Sequence, residues 1–151
     1  MKAGAALLVL LAAAPAARAQ SPSPALAELD RAARAIAAAG CARPIEEKTT
    51  RVGETKDEMR SLDCRSHRIA YYVAAGREQP MALVVLAALS PALPGGLGPG
   101  STPADVQAVL GAPAERRTHV LVYLPRPRDR IAFEVDENGR VRAVSFIWDV
   151  D

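Results

Sequence analysis

The sequence predicts an α+β fold, an antiparallel sheet that ends in a C-terminal three-stranded meander and is packed by short helices. Three observations predict it. Leu26, Leu29, Ala33 and Ile36 recur at helical spacing near the start of the chain. Residues 98–113, GPGSTPADVQAVLGAP, carry the start and stop signals of a second, shorter helix. Beyond it, His119–Leu124, Ile131–Val135 and Val141–Trp148 are apolar or alternating segments, separated by the turn-forming clusters Pro125–Asp129 and Asp136–Gly139.

The first nineteen residues stand apart from the fold. Lys2 gives a charged start, Ala5–Ala14 is unbroken apolar sequence, and Ala17-Arg18-Ala19 is an A-x-A processing site, which together read as a cleaved signal peptide over 1–19. Ten apolar residues fall short of the ~20 that a spanning helix needs, and no cysteine follows the cut to be lipidated. The expectation is a periplasmic chain of one domain over residues 20–151 that does not span the membrane. Without Lys2 and Arg18 the nineteen basic residues become seventeen, equal to the seventeen acidic ones. A balanced chain has no global attraction for nucleic acid.

Within the domain, Ser23 and Pro24 suit the cap and first turn of a helix of about fifteen residues that stops at Gly40. Asp30 and Arg34 pair four apart on another of its faces. Cys41 and Cys64 are the two cysteines, and an exported chain favours a disulfide between them. Such a bridge contributes roughly 3 kcal/mol by chain entropy. A redox or metal pair is the competing reading, without a C-x-x-C or a histidine cluster behind it. Residues 44–73 suggest two or three strands and Gly76–Pro80 a turn, while Met81–Leu89 fits a strand buried on both faces or a short buried helix, its length and Val84-Val85 favouring the strand. This completes an N-terminal half, 20–94, ahead of a helix-plus-three-strand half, 95–151.

The loop from Ser90 to Gly100 holds three prolines and four glycines, so it crosses rather than continues an element. Thr102 caps the following helix, Asp105 completes a capping box, and Gly111 with Pro113 stops it. Val106, Val109 and Leu110 form its apolar stripe. In the last strand Val141, Val144, Phe146 and Trp148 are out of step, which predicts a bulge or two buried faces.

Four features invite a chemical reading. Gly95–Gly100 before a helix start resembles a phosphate loop, but Pro99 removes a donor and no Walker lysine follows. Asp57, Glu58, Asp63 and His67 could form an acid–base or metal cluster, although Lys56, Arg60, Arg65 and Arg68 interleave them as on a solvated strand. Arg116, Arg117, Arg126, Arg128 and Arg130 flank one strand and its hairpin, where they would meet anionic lipid or an acidic partner, or simply keep the edge soluble. Tyr123, Phe133 and Trp148 read as core. No sequence motif calls for a metal or a cofactor.

The residues Gly100–Val106 and Leu110-Gly111-Ala112-Pro113, followed by Tyr123, Ile131, Phe133, Gly139 and Val141, resemble the SmpA/OmlA (BamE-like) family of outer-membrane lipoproteins over about residues 95–148. The resemblance implies the α+β fold of β-lactamase-inhibitor proteins and a non-enzymatic role, with the sheet and helix face contacting an envelope protein or an anionic membrane surface during outer-membrane assembly. It also admits the N-terminal half as a second copy of the unit. The chain differs in lacking the lipidated cysteine and in carrying that extra half. Two alternatives from other classes are a small periplasmic hydrolase using Asp57, Glu58, Asp63 and His67, and an inhibitor of a secreted enzyme.

Overall fold

The computed structural model describes residues 22–89 and 92–150, so the expected leader over 1–19 lies outside them. The chain begins with helix α1 (Pro24–Ala39), whose Ser23 side chain accepts from the Leu26 amide and whose exit is Gly40 at φ 67°. Ser23 satisfies one of the orphan amides of the first turn, and glycine meets the positive φ without a Cβ clash. Leu26, Leu29, Ala33 and Ala37 are buried on one face, with Ile36 half-buried beside them.

Four strands follow, β1 (Glu46–Arg51), β2 (Glu58–Asp63), β3 (His67–Ala74) and β4 (Arg77–Val85), and then α2 (Pro103–Leu110). Four more complete the chain: β5 (Glu115–Arg117), β6 (Val120–Tyr123), β7 (Arg130–Val135) and β8 (Val141–Ile147). All eight join one antiparallel sheet in the order β1-β2-β3-β4-β8-β7-β6-β5. Each half is a helix followed by a four-strand meander, and the halves meet where β4 pairs with β8.

This overturns the expected α+β architecture of the BamE/β-lactamase-inhibitor type, a three-stranded meander packed by short helices. The described chain is predominantly β, with two α-helices on one eight-stranded sheet. The discrepancy has two physical sources. β1, EEKTTR, is exposed at every position and so lacks the apolar alternation that marks a half-buried strand. The β4–β8 junction joins residues far apart in sequence, such as Ala82 and Ile147, and no local pattern encodes that pairing.

Several smaller expectations also shift. The turn expected at Gly76–Pro80 closes at Ala75-Gly76, and β4 runs through Pro80 at a bulge opposite Ala70 and Tyr71. Proline is tolerated there because the ladder is already interrupted. Met81–Leu89 is a strand only to Val85, with Leu83 and Val85 buried and Ala82 and Val84 half-exposed, so it has one buried face and not two. β5 was not anticipated, since its three residues, Glu-Arg-Arg, are all exposed. The bulge expected in the last strand is present, with Arg142 as the extra residue between Ala143 and Val141 opposite Glu134 and Val135.

One face of the sheet carries the core. Leu62, Ile69, Leu83, Phe146, Ile131 and Tyr123 sit side by side across six strands, all buried. Both helices cover this face. α2 has the expected capping box between Thr102 and Asp105 and buries Val106 and Leu110, whereas Val109 is 37% exposed and rests over Gly95. Tyr71 donates to the Ala37 carbonyl at 2.6 Å and Tyr123 to the Gly111 carbonyl at 2.9 Å, so each helix C-terminus is tied to the sheet. Cys41 and Cys64 form the disulfide, which staples the exit of α1 to the end of β2.

The pair Asp30 and Arg34 is more than a helix-surface contact. Asp30 is buried, accepts from the indole Nε1 of Trp148 at 2.8 Å and from Arg34 at 3.1 Å, while Arg34 reaches on to Asp129 and lies over the Trp148 ring. Asp129, also buried, accepts from the Asp149 amide. A polar clasp thus ties α1 to the β6–β7 turn and the end of β8.

Candidate binding surface

The sequence offered three candidate sites, and the fold disperses the first of them. Asp57 accepts from the Tyr72 hydroxyl at 2.5 Å, which raises the phenol's pKa. Glu58 pairs in register with Arg51 and Val73 and shares the helix-side face with Leu62, whereas Asp63 lies on the opposite face and pairs with Arg68 at 3.4 Å. His67 points into the core, where burial lowers its pKa; its Nδ1 meets Ser66 Oγ at 3.0 Å and its Nε2 has no hydrogen-bond partner among the described residues. Strand alternation therefore divides the four groups between two faces and the interior, and they do not converge.

The glycine loop is used internally. The Gly98 amide donates to Ser101 Oγ, the Gly100 amide to the Val141 carbonyl at 2.7 Å, and the Val141 amide returns to Ser101 at 2.8 Å. Amides that stitch a loop to the start of β8 are not aimed at an anion, as a phosphate cradle requires. The loop seats α2.

The five arginines are largely neutralised by neighbours. Arg117 and Arg130 reach Glu115 at 2.6 and 3.6 Å, Arg126 reaches Asp129 at 3.8 Å, and Arg128 reaches Asp149 at 2.9 Å. Arg116 lies on the helix side of β5, paired in register with Leu121, and softens the burial-driven rise in the Tyr123 pKa. Arg116 and Arg117 sit on the edge strand, Arg126 and Arg128 in the β6–β7 turn, and Arg130 on β7. They surround one corner of the sheet without forming a single cationic field. Tyr123, Phe133 and Trp148 are core, as expected.

The sheet face away from the helices was not singled out in the sequence. Register places Asp63, Arg68, Val84, Ser145, Ala132 and Val122 in one row from β2 to β6, with Glu46 and Glu115 at its two ends. The adjacent row is Lys48, Ser61, Ala70, Ala82, Ile147 and Arg130. Its central floor, Ala70, Ala82, Val84, Ala132 and Ser145, is made of small, half-exposed side chains. Ile147 at 48% and Met59 at 42% exposure rise from it, and ion pairs such as Arg68–Asp63 and Arg142–Glu134 rim it. Val122 and Ala143 are buried on this face but stand outside the helix-side core cluster. No described helix covers it. The signal was present in the alternation of Ala82 and Val84 with Leu83 and Val85, but it needed the register of distant strands to become a surface.

A partly open hollow of about 80 Å³ lies along the β4–α2 loop and is lined by Val85, Leu89, Leu93, Leu97 and neighbouring alanines, glycines and Pro99. Among the described residues no helix is long and apolar enough to cross a membrane. Comparison with known proteins finds no matching family model, no matching curated protein and no matching solved structure.

Proposed function

We propose that this chain is a non-enzymatic binding module of the periplasm that docks an envelope protein on the open face of its sheet. The observation that carries this reading is the small-residue floor, continuous across β3, β4, β8 and β7, on a face the described helices leave bare. Small side chains with a few larger apolar neighbours and a charged rim let a partner's protruding side chains approach the sheet closely, as protein interfaces with an apolar centre and polar rim require. The leader-like residues 1–19 and the BamE-like pattern of 95–148 support an envelope role on sequence grounds. The dispersal of Asp57, Glu58, Asp63 and His67 weighs against the hydrolase reading, and the paired arginines favour a protein over an anionic lipid.

The test is a photo-crosslinking residue placed at Ala82 on the open face, with a second probe at Ala35 on the exposed side of α1, in cells expressing the full chain. The expected result is a discrete adduct from Ala82 alone, lost when Ser145→Arg fills the floor. Equal adducts from both probes, or none from either, would overturn the reading. Salt-sensitive co-sedimentation with anionic vesicles by the purified protein would transfer it to the membrane surface.

A further inference from the structure

The two edges of the sheet are unequal in the pairing positions they offer. Backbone donors alternate along an antiparallel strand, so a single ladder bond fixes their phase. The Val52 amide donates to the Asp57 carbonyl, and on the far side of β2 the Cys64 amide donates to the His67 carbonyl. Both bonds set the same phase: the even residues of β1 face β2, and Glu47, Thr49 and Arg51 turn their amides and carbonyls outward. At the opposite edge, the Val135 amide bonded to the His119 carbonyl sets β6 so that only Arg116 of β5 faces outward. β1 thus offers three consecutive outward pairing positions and β5 one.

The side chains select a partner for that edge. In a two-fold pairing centred on Thr49, the outward positions meet each other: Thr49 faces its own copy, and Glu47 faces the copy's Arg51 twice over. Paired residues then lie on the same face, as a continuous sheet requires. Arg60 occupies Oε1 of Glu47 at 2.7 Å, leaving Oε2 to accept, while Arg51 is exposed with no ion pair among the described residues. Centring one residue earlier would instead set Lys48 against Lys48. Opposite charges and threonine pairs directly across strands are stabilising, and like charges are not. Ile45, 73% exposed just before the strand, gains cover at the end of the same contact.

We infer that the chain self-associates through β1 into a two-fold dimer with a continuous sixteen-stranded sheet in the Thr49-centred register. The test is sedimentation of the disulfide-intact protein up to about 100 µM. Wild-type protein sediments as a concentration-dependent dimer. Thr49→Pro removes an outward amide without touching the β1–β2 ladder, and leaves a folded monomer. Glu47→Arg and Arg51→Glu each turn two attractive pairs into repulsive ones and weaken association by about tenfold or more. Mixing these two variants restores Glu–Arg pairing at both positions and recovers the dimer as a heterodimer. A wild-type monomer over that range overturns the inference. So does a mixture that dimerises no better than its components while each remains folded by circular dichroism.

Discussion

The clasp around Asp30 gives the sharpest quantitative test of how this chain holds together. Asp30→Ala removes the acceptor of a buried indole N–H and of Arg34. An orphaned buried donor costs about 1–3 kcal/mol, and a charge-assisted hydrogen bond contributes about 1.5–3. Arg34 keeps Asp129, so its guanidinium is not left unpaired. The expected loss is therefore about 3 kcal/mol, near 10 °C in Tm for a domain of this size. Trp148→Phe leaves Asp30 one donor short while an aromatic ring remains against Phe146; it costs about 2 kcal/mol from the hydrogen bond, with a further loss from the smaller ring. The assay is urea unfolding of the wild type, the two single variants and the double variant, all oxidised. If the Asp30–Trp148 bond does what its geometry says, the double variant is more stable than the sum of the singles predicts by about 1–3 kcal/mol. Additivity within about 0.5 kcal/mol would mean that the two side chains act independently and that no such bond holds the clasp.

Three further outcomes follow from other parts of the fold. Reducing the Cys41–Cys64 bridge, which spans a separation of 23 residues, lowers unfolding free energy by about 3 kcal/mol, read from denaturation with and without reductant. Burial holds the His67 imidazole below its ordinary pKa of 6.5, so the unfolded chain takes up a proton first. Stability is then full above that value, falls as pH drops from 6.5 toward the folded pKa, and levels below it; a His67→Leu chain measured by the same pH series lacks that slope. Gly95→Ala places a methyl 2.9 Å from a Val109 methyl at φ 71°, and a thermal melt should show a loss of about 1–2 kcal/mol. An unchanged melting point would show that the turn relaxes freely.

The local elements are legible in the amino-acid sequence alone. Ser23, Pro24 and Gly40 bound α1, and the Thr102–Asp105 box with Gly111 bounds α2, because caps and stops act within a few residues of the backbone groups they satisfy. The segments that form β6, β7 and β8, the turns between them, the bulge in β8 and the cysteine pairing were legible for the same reason or by elimination, whereas the fourth strand of that meander, β5, was not. Whatever depends on partners distant in the chain emerges only in the packed fold. An exposed β1 gives no periodic signal, the β4–β8 junction merges two meanders into one sheet, and Asp30 becomes a buried acceptor because Trp148 arrives from the far end of the chain. The open face and the outward phase of β1 belong to the same class. A strand's two faces and two edges have no inside or outside until its neighbours fix the register, and register is a property of pairs of segments, not of either segment alone.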